Sequence, residues 1–120
     1  MTYLKHKTSK QRGIHYKPEI VSAYFKSQGL PEPQFELQYI PNRKFRLDIG
    51  WEKLKVGIEI QGGVWLKAAH STGTGIKRDM EKRNLGILAG WRVLECEPKD
   101  LCTLDMVNMV RTVINATRLR

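Results

Sequence analysis

The sequence FRLDIGWEKLKVGIEIQ, residues 45–61, contains two short apolar segments on either side of a polar turn. In both segments apolar residues alternate with polar residues or glycine, which is typical of β-strands because successive side chains point to opposite faces. If Lys53 and Leu54 form the centre of the turn, the two strands pair so that Asp48 lies opposite Glu59. The alternation also predicts one apolar face, formed by Phe45, Leu47, Ile49 and Trp51 together with Val56, Ile58 and Ile60.

The predicted pairing brings two carboxylates together. The Cβ atoms of directly opposed residues lie about 5 Å apart, and like charges at that distance destabilise a sheet. A divalent metal ion between Asp48 and Glu59 would remove the repulsion. The alternative is a half-exposed hairpin whose outer face carries two unrelated acids.

The remainder of the chain predicts an alternation of helices and strands. A helix begins at Pro18 and ends before Gly29, a strand covers residues 34–40, and Pro41 and Asn42 turn the chain into the Asp48 strand. A glycine-rich loop follows Gln61. A basic helix over about residues 75–89, buried through Leu85, Leu88 and Ala89, then precedes a strand over residues 91–97. The last helix, from about Leu104, has apolar residues at helical spacing, which indicates core packing or a homodimer face: Leu104, Val107, Val110 and Ile114.

The segments FRLDIGW, GIEIQGGVW, HSTGTGIKRDMEKRN and GWRVLE, in this order and spacing, resemble the PD-(D/E)XK nuclease superfamily. Within it the chain is similar to small phage and bacterial endonucleases related to the very-short-patch mismatch repair enzyme. The resemblance covers about residues 18–100. It implies an α/β, restriction-endonuclease-like core: a helix, a three-stranded antiparallel meander, a crossover helix, a further strand and a C-terminal helix.

The resemblance also implies a site for Mg²⁺ or Mn²⁺. Its expected ligands are Asp48, Glu59 and the backbone carbonyl of Ile60. Gln61 stands where the family usually has lysine, and glutamine can orient water but supplies no positive charge. We expect the missing cation or proton donor among His70, Lys77 and Lys82, since histidine titrates near neutral pH. Glu19 matches a helical glutamate that leans toward the metal site in the family, although the helix dipole alone also explains it.

Charge and length restrict the function further. The 120 residues suffice for one domain, expected over residues 18–120 behind a basic arm at residues 1–17. Lys and Arg number 21 against 12 Asp and Glu, giving a net charge of +9, which attracts polyanions such as DNA. No apolar run approaches the ~20 residues that cross a bilayer, and no secretory signal is evident, so we expect no membrane association and a cytoplasmic location. Cys96 and Cys102 are expected to be reduced thiols. The expected nucleic-acid-binding residues are Lys5, Lys7, Lys10, Arg12, Arg43 and Arg78.

Together these features favour a magnesium-dependent DNA endonuclease of phage or bacterial DNA processing or repair. A DNA-binding module on the same fold that has lost catalysis is the alternative, and Gln61 is the feature that favours it. An RNA-binding or ribosome-associated protein would explain the charge but not the pairing of Asp48 with Glu59.

Overall fold

The computed structural model describes residues 16–62 and 73–119. In chain order, these residues form helix α1 (Pro18–Ser27), strands β1 (Gln34–Gln38), β2 (Arg46–Trp51) and β3 (Val56–Ile60), helix α2 (Gly73–Leu88), strand β4 (Arg92–Cys96), a single 3₁₀ turn (Pro98–Asp100) and helix α3 (Leu104–Arg118). Within these residues the fold is therefore α/β, with three α-helices and one sheet. None of these helices is long and apolar enough to cross a membrane.

The four strands lie in the order β1-β2-β3-β4. β1, β2 and β3 form the predicted antiparallel meander, and Ile49 pairs with Ile58 and Trp51 with Val56, which confirms the predicted hairpin register. β4, whose direction the sequence left open, lies parallel to β3. The sheet is therefore mixed rather than antiparallel, with α2 in the crossover between its two parallel strands.

Helices α1 and α3 contribute to the larger of two hydrophobic clusters. Val21 and Phe25 of α1 pack with Ile58 of β3 and with Val107 and Val110 of α3, and all five are almost fully buried. Thr103 caps α3, since its hydroxyl accepts the Met106 N–H at 3.2 Å. The Arg111 guanidinium donates to the carbonyl of Gln28 at 2.5 Å and so connects α3 to the end of α1.

The prediction of one apolar face on β2 is wrong. Ile49 and Trp51 join the larger cluster, whereas Phe45 and Leu47 belong to a second one with Tyr39 and Trp91. A Cβ atom on Gly57 would meet Leu47 Cδ1 at 2.5 Å, so Leu47 lies on the face opposite to Val56 and Ile58. β2 is buried on both faces because helices or loops cover each side.

Helix α2 is less buried than its sequence predicts. Gly86 is its buried residue, and a Cβ atom there would lie 3.3 Å from the ring of Tyr39, so the glycine allows a close approach between helix and sheet. Leu88 was predicted to be buried but is 82% exposed. Gly90, with a φ of +88°, ends the turn that follows α2.

The last helix corrects a second prediction of burial. Val107, Val110 and Ile114 are buried as the spacing predicts, but Leu104 is exposed because the helix begins there, at the edge of the core. These buried residues belong to the core of the chain, so the interpretation as core packing is the correct one for this stripe.

Candidate active site

Asp48 and Glu59 lie side by side on neighbouring strands. The β2–β3 pairing ends at Ile49 and Ile58, and Asp48 and Glu59 are the next residues of the two strands. Their side chains are close enough to exchange a hydrogen bond when one of them is protonated. Asp48 is 3% exposed and the Glu59 side chain 17% exposed, so this carboxyl pair is largely removed from water.

Backbone and side chain together fix the position of Asp48. The Ile60 N–H donates to Asp48 Oδ2 at 2.7 Å, a short bond of the kind that charged acceptors form. This bond ties the carboxylate of β2 to the end of β3, next to Glu59. Asp48 is therefore held in place before any ligand arrives.

Lys82 of helix α2 supplies the positive charge at this site. Its Nζ donates to Glu59 Oε2 at 2.7 Å, and its side chain is 20% exposed. Glu59 lies on the same face of β3 as Gly57, which is the face next to Leu47 and α2. The close packing at Gly86, one turn further along α2, sets the distance at which Lys82 reaches the sheet.

The contact with Lys82 does not keep the pKa of Glu59 at its ordinary value. That pKa is raised to about 8, first by burial and then by the charge of Asp48, and Lys82 lowers it without cancelling the rise. The site thus favours additional positive charge, either a proton or a cation. Strongly raised carboxyl pKa values of this kind are frequent in functional sites.

Gln61 has a partner that the sequence did not reveal. Its Nε2 donates to Glu95 Oε1 at 3.1 Å, and Arg83 Nε lies 3.8 Å from the other Glu95 oxygen. Glu95 is aligned with Glu59 in the parallel pairing of β3 and β4, and in-register residues of adjacent strands share a face. Glu59 and Glu95 therefore lie side by side, and Asp48 is a further acid next to Glu59.

Tyr39 and Cys96 border the same region. Burial raises the Tyr39 pKa to about 12, with a further contribution from the negative charge of Glu59. The pKa of Cys96 also rises to about 12, through burial first and then through acids that include Asp100 and Asp48. Both groups stay protonated near neutral pH, so neither is a nucleophile there. Cys96 and Cys102 are free thiols, as expected.

The donors at this site fit a hard divalent cation. Residues 16–62 and 73–119 contain no group of three or more His, Cys, Asp or Glu side chains that could hold a metal ion. Mg²⁺, however, is usually bound through one or two carboxylates, with water and substrate phosphate completing its coordination. Two adjacent, largely buried carboxyl groups provide such ligands.

The other predicted residues divide into three groups. Asp48, Glu59, Gln61 and Lys82 are brought together, and Arg43 and Arg78 both contact the Phe45 ring. Glu19 and Lys77 are exposed, and no hydrogen bond or ion pair among the described residues joins either of them to the acidic pair. The remaining predicted residues lie outside the described part of the chain: Lys5, Lys7, Lys10, Arg12 and His70.

Comparison with known proteins gives no relative. No family model matches the chain, and neither the curated proteins nor the solved structures contain a match.

Proposed function

We propose that this protein is a metal-dependent DNA endonuclease that hydrolyses phosphodiester bonds at Asp48 and Glu59. The observation that carries the proposal is the buried carboxyl pair, in which the pKa of Glu59 is raised although Lys82 contacts it. A fold gains no stability from two adjacent buried acids. A site that binds a cation does require them. The net charge of +9 supports a polyanionic substrate.

In this proposal Asp48 and Glu59 hold Mg²⁺ or Mn²⁺, with the carbonyl of Ile60 as a further ligand. The bound ion would activate the attacking water and neutralise charge on the phosphate. Asp48 is held by the Ile60 N–H, so it does not have to be ordered when the ion binds. Glu59 must lose its proton, which its raised pKa makes dependent on pH in the metal-free protein.

Lys82 takes the role that lysine at position 61 would have. Its ammonium lies beside Glu59, on an exposed helix, and needs only a side-chain rotation to turn from the carboxylate to a bound phosphate. There it would stabilise the negative charge that develops in the transition state. Gln61 is held by Glu95 through its amide N–H, which leaves the amide oxygen to orient water. His70 remains a candidate proton donor.

The test is cleavage of supercoiled, linear and branched DNA with Mg²⁺, Mn²⁺ or EDTA. We expect metal-dependent cleavage by wild type and its loss by orders of magnitude in Asp48→Asn and Glu59→Gln. Lys82→Gln should also lower the cleavage rate strongly, whereas Lys77→Gln, at an exposed lysine of the same helix, should have little effect. Glu32→Gln controls for the change of charge. If wild type cleaves none of these substrates with either metal, the proposal is wrong.

A DNA-binding module without catalysis is the second candidate. The bond between Gln61 and Glu95 favours it, because that bond occupies the residue that stands at the usual lysine position. In that case wild type would bind DNA without cleaving it. Asp48→Asn and Glu59→Gln would then leave DNA binding unchanged or increase it.

A further inference from the structure

Two arginines contact the same aromatic ring near the acidic pair. Arg43 Cζ lies 4.8 Å and Arg78 Cζ 5.7 Å from the centroid of the Phe45 ring. Arg43 belongs to the turn before β2 and Arg78 to helix α2, so the ring gathers cations from two separate elements. The ring attracts both guanidinium groups, while their like charges repel each other and favour an anionic partner.

This arginine pair is built on a fixed support. The Phe45 ring is buried in the cluster that contains Tyr39 and Trp91. The turn that carries Arg43 is held twice: the Arg43 N–H donates to the carbonyl of Ile40 at 3.2 Å, and its own carbonyl accepts from Gln38 Nε2 at 2.7 Å. The backbone of the turn that carries Arg43 therefore does not have to be ordered when a ligand binds.

Glu81 balances one of the two charges. Its Oε2 lies 2.9 Å from Arg43 Nη2, with side chains 39% and 48% exposed for arginine and glutamate. Ion pairs this exposed contribute little stability and exchange readily with other ligands. Arg78 contacts the Phe45 ring, and no ion pair is seen for it within the described residues.

The arginine pair adjoins the proposed catalytic site. Arg78 and Lys82 are four residues apart on α2 and therefore lie side by side, about 5–6 Å apart at their Cβ atoms. One nucleotide of a duplex strand advances about 3.4 Å along the axis, so this spacing corresponds to one or two nucleotides. Phe45 directly precedes strand β2, which contains Asp48.

We propose that Arg43 and Arg78 bind a backbone phosphate of DNA next to the phosphodiester cleaved at Asp48 and Glu59. Glu81 holds Arg43 in the free protein and is replaced by the phosphate on binding. Guanidinium groups suit this role because their donors match phosphate oxygens in pairs. The inference rests on DNA being the substrate, as proposed above, and adds the site that places the substrate.

Binding of a short random-sequence duplex in EDTA, measured by fluorescence anisotropy over a range of KCl concentrations, tests this site without catalysis. Replacing both arginines, Arg43→Gln with Arg78→Gln, should make the slope of log affinity against log salt shallower by about 0.9, the value for one phosphate, and each single variant should give part of this change. Arg118→Gln, at an exposed arginine at the end of α3, is the matched control and should change the slope less. An unchanged slope in both Arg43→Gln and Arg78→Gln overturns the inference.

A double-mutant cycle tests the role of Glu81. Glu81→Gln should tighten binding more than Glu32→Gln, which changes the net charge equally, and this excess should disappear in the Arg43→Gln background. If the excess persists there, Glu81 does not act through Arg43, and the exchange with phosphate is wrong. A matched RNA duplex that binds more tightly than DNA and loses affinity in Arg78→Gln would overturn the assignment to DNA.

Binding and cleavage results separate this inference from the proposed function. If wild type cleaves DNA but neither arginine variant changes binding, the phosphate site is wrong and the nuclease proposal stands. If the salt slopes change as predicted but wild type cleaves no substrate, the nuclease proposal is wrong and the phosphate site stands.

Discussion

Glu59 is the residue whose protonation depends most directly on the packing of the site. Its pKa rises from 4.5 to about 8, so the folded protein holds a proton that the unfolded chain releases between these values. Stability from this group is present below about pH 4.5 and is lost as the pH rises through about 8. At neutral pH the burial of Glu59 thus lowers the folding stability of the protein.

The corresponding prediction concerns metal-free protein. In EDTA, the free energy of unfolding of wild type should fall between pH 5 and 8, by at most about 1.4 kcal/mol per pH unit for one proton. Glu59→Gln should remove most of this fall, because the amide does not titrate. Urea unfolding at several pH values measures it. Parallel pH profiles of wild type and Glu59→Gln would show that another group is responsible.

A second prediction at this scale concerns Gln61. Gln61→Lys places an ammonium next to Glu95, which already accepts from the native amide, so an ion pair should hold the new charge away from the phosphate. Gln61→Lys alone should therefore change cleavage little. Combined with Glu95→Gln, the ammonium is released and cleavage should rise. Glu95→Gln alone is the control. Equal cleavage rates for Gln61→Lys and for Gln61→Lys combined with Glu95→Gln would contradict the role given to Glu95.

Helix α2 is the element on which the site depends. It carries Lys82 to Glu59 and Arg78 to Phe45, yet it is mostly exposed and buries Gly86 against Tyr39. Lys55 also donates to the carbonyl of Ala89 at 3.0 Å, which places a positive charge at the end of this helix. The position of α2 relative to the sheet thus depends on the small contact between Gly86 and Tyr39. A change in this contact should alter the position of Lys82 relative to Glu59.

Gly86→Val tests that contact. The branched side chain would collide with the Tyr39 ring, so we expect a loss of about 1–3 kcal/mol of stability together with weaker cleavage. Asn84→Val changes an exposed residue of the same helix to the same side chain and should be nearly neutral. Thermal unfolding and plasmid cleavage measure the two effects. If both variants melt alike, the Gly86 contact does not position α2.

At the scale of the whole molecule, charge and fold act together. The chain carries a net charge of +9, but Asp48, Glu59 and Glu95 form a locally acidic region. A positively charged protein attracts a polyanion, and an acidic region on it provides ligands for a cation. A positive net charge alone would suit any nucleic-acid-binding protein, whereas the proposed metal-dependent nuclease requires the acidic region as well.

Metal binding should therefore be measurable as stability. If the folded state binds Mg²⁺ or Mn²⁺ as proposed, either ion should raise the melting temperature of wild type in a concentration-dependent way. Asp48→Asn should abolish most of this rise, while its amide oxygen can still accept from the Ile60 N–H. Ca²⁺ serves as a further hard cation for comparison. An equal rise in wild type and Asp48→Asn would place the metal elsewhere.

The sequence by itself determined the parts that depend on neighbouring residues. The register of the β2–β3 hairpin followed from its turn, and α1 from Pro18 and Gly29. That register also indicated that Asp48 and Glu59 lie near each other. Alternation and turn residues act over a few positions, so they can be read along the chain. Only the tertiary structure decided that β2 is buried on both faces, because burial depends on what covers each face of the sheet.

The tertiary structure also chose the partners of the acids. The bond from Lys82 to Glu59 spans 23 residues, and the bond from Gln61 to Glu95 spans 34. The bond from Lys82 depends on the close approach of α2 to the sheet at Gly86. The bond from Gln61 depends on the parallel position of β4 beside β3. Lys77 and Lys82 were equal candidates in the sequence, since charge and helical spacing do not say which turn of a helix faces the sheet. Packing of Gly86 against Tyr39 fixes the rotation of the helix, and in that rotation Lys82 reaches Glu59.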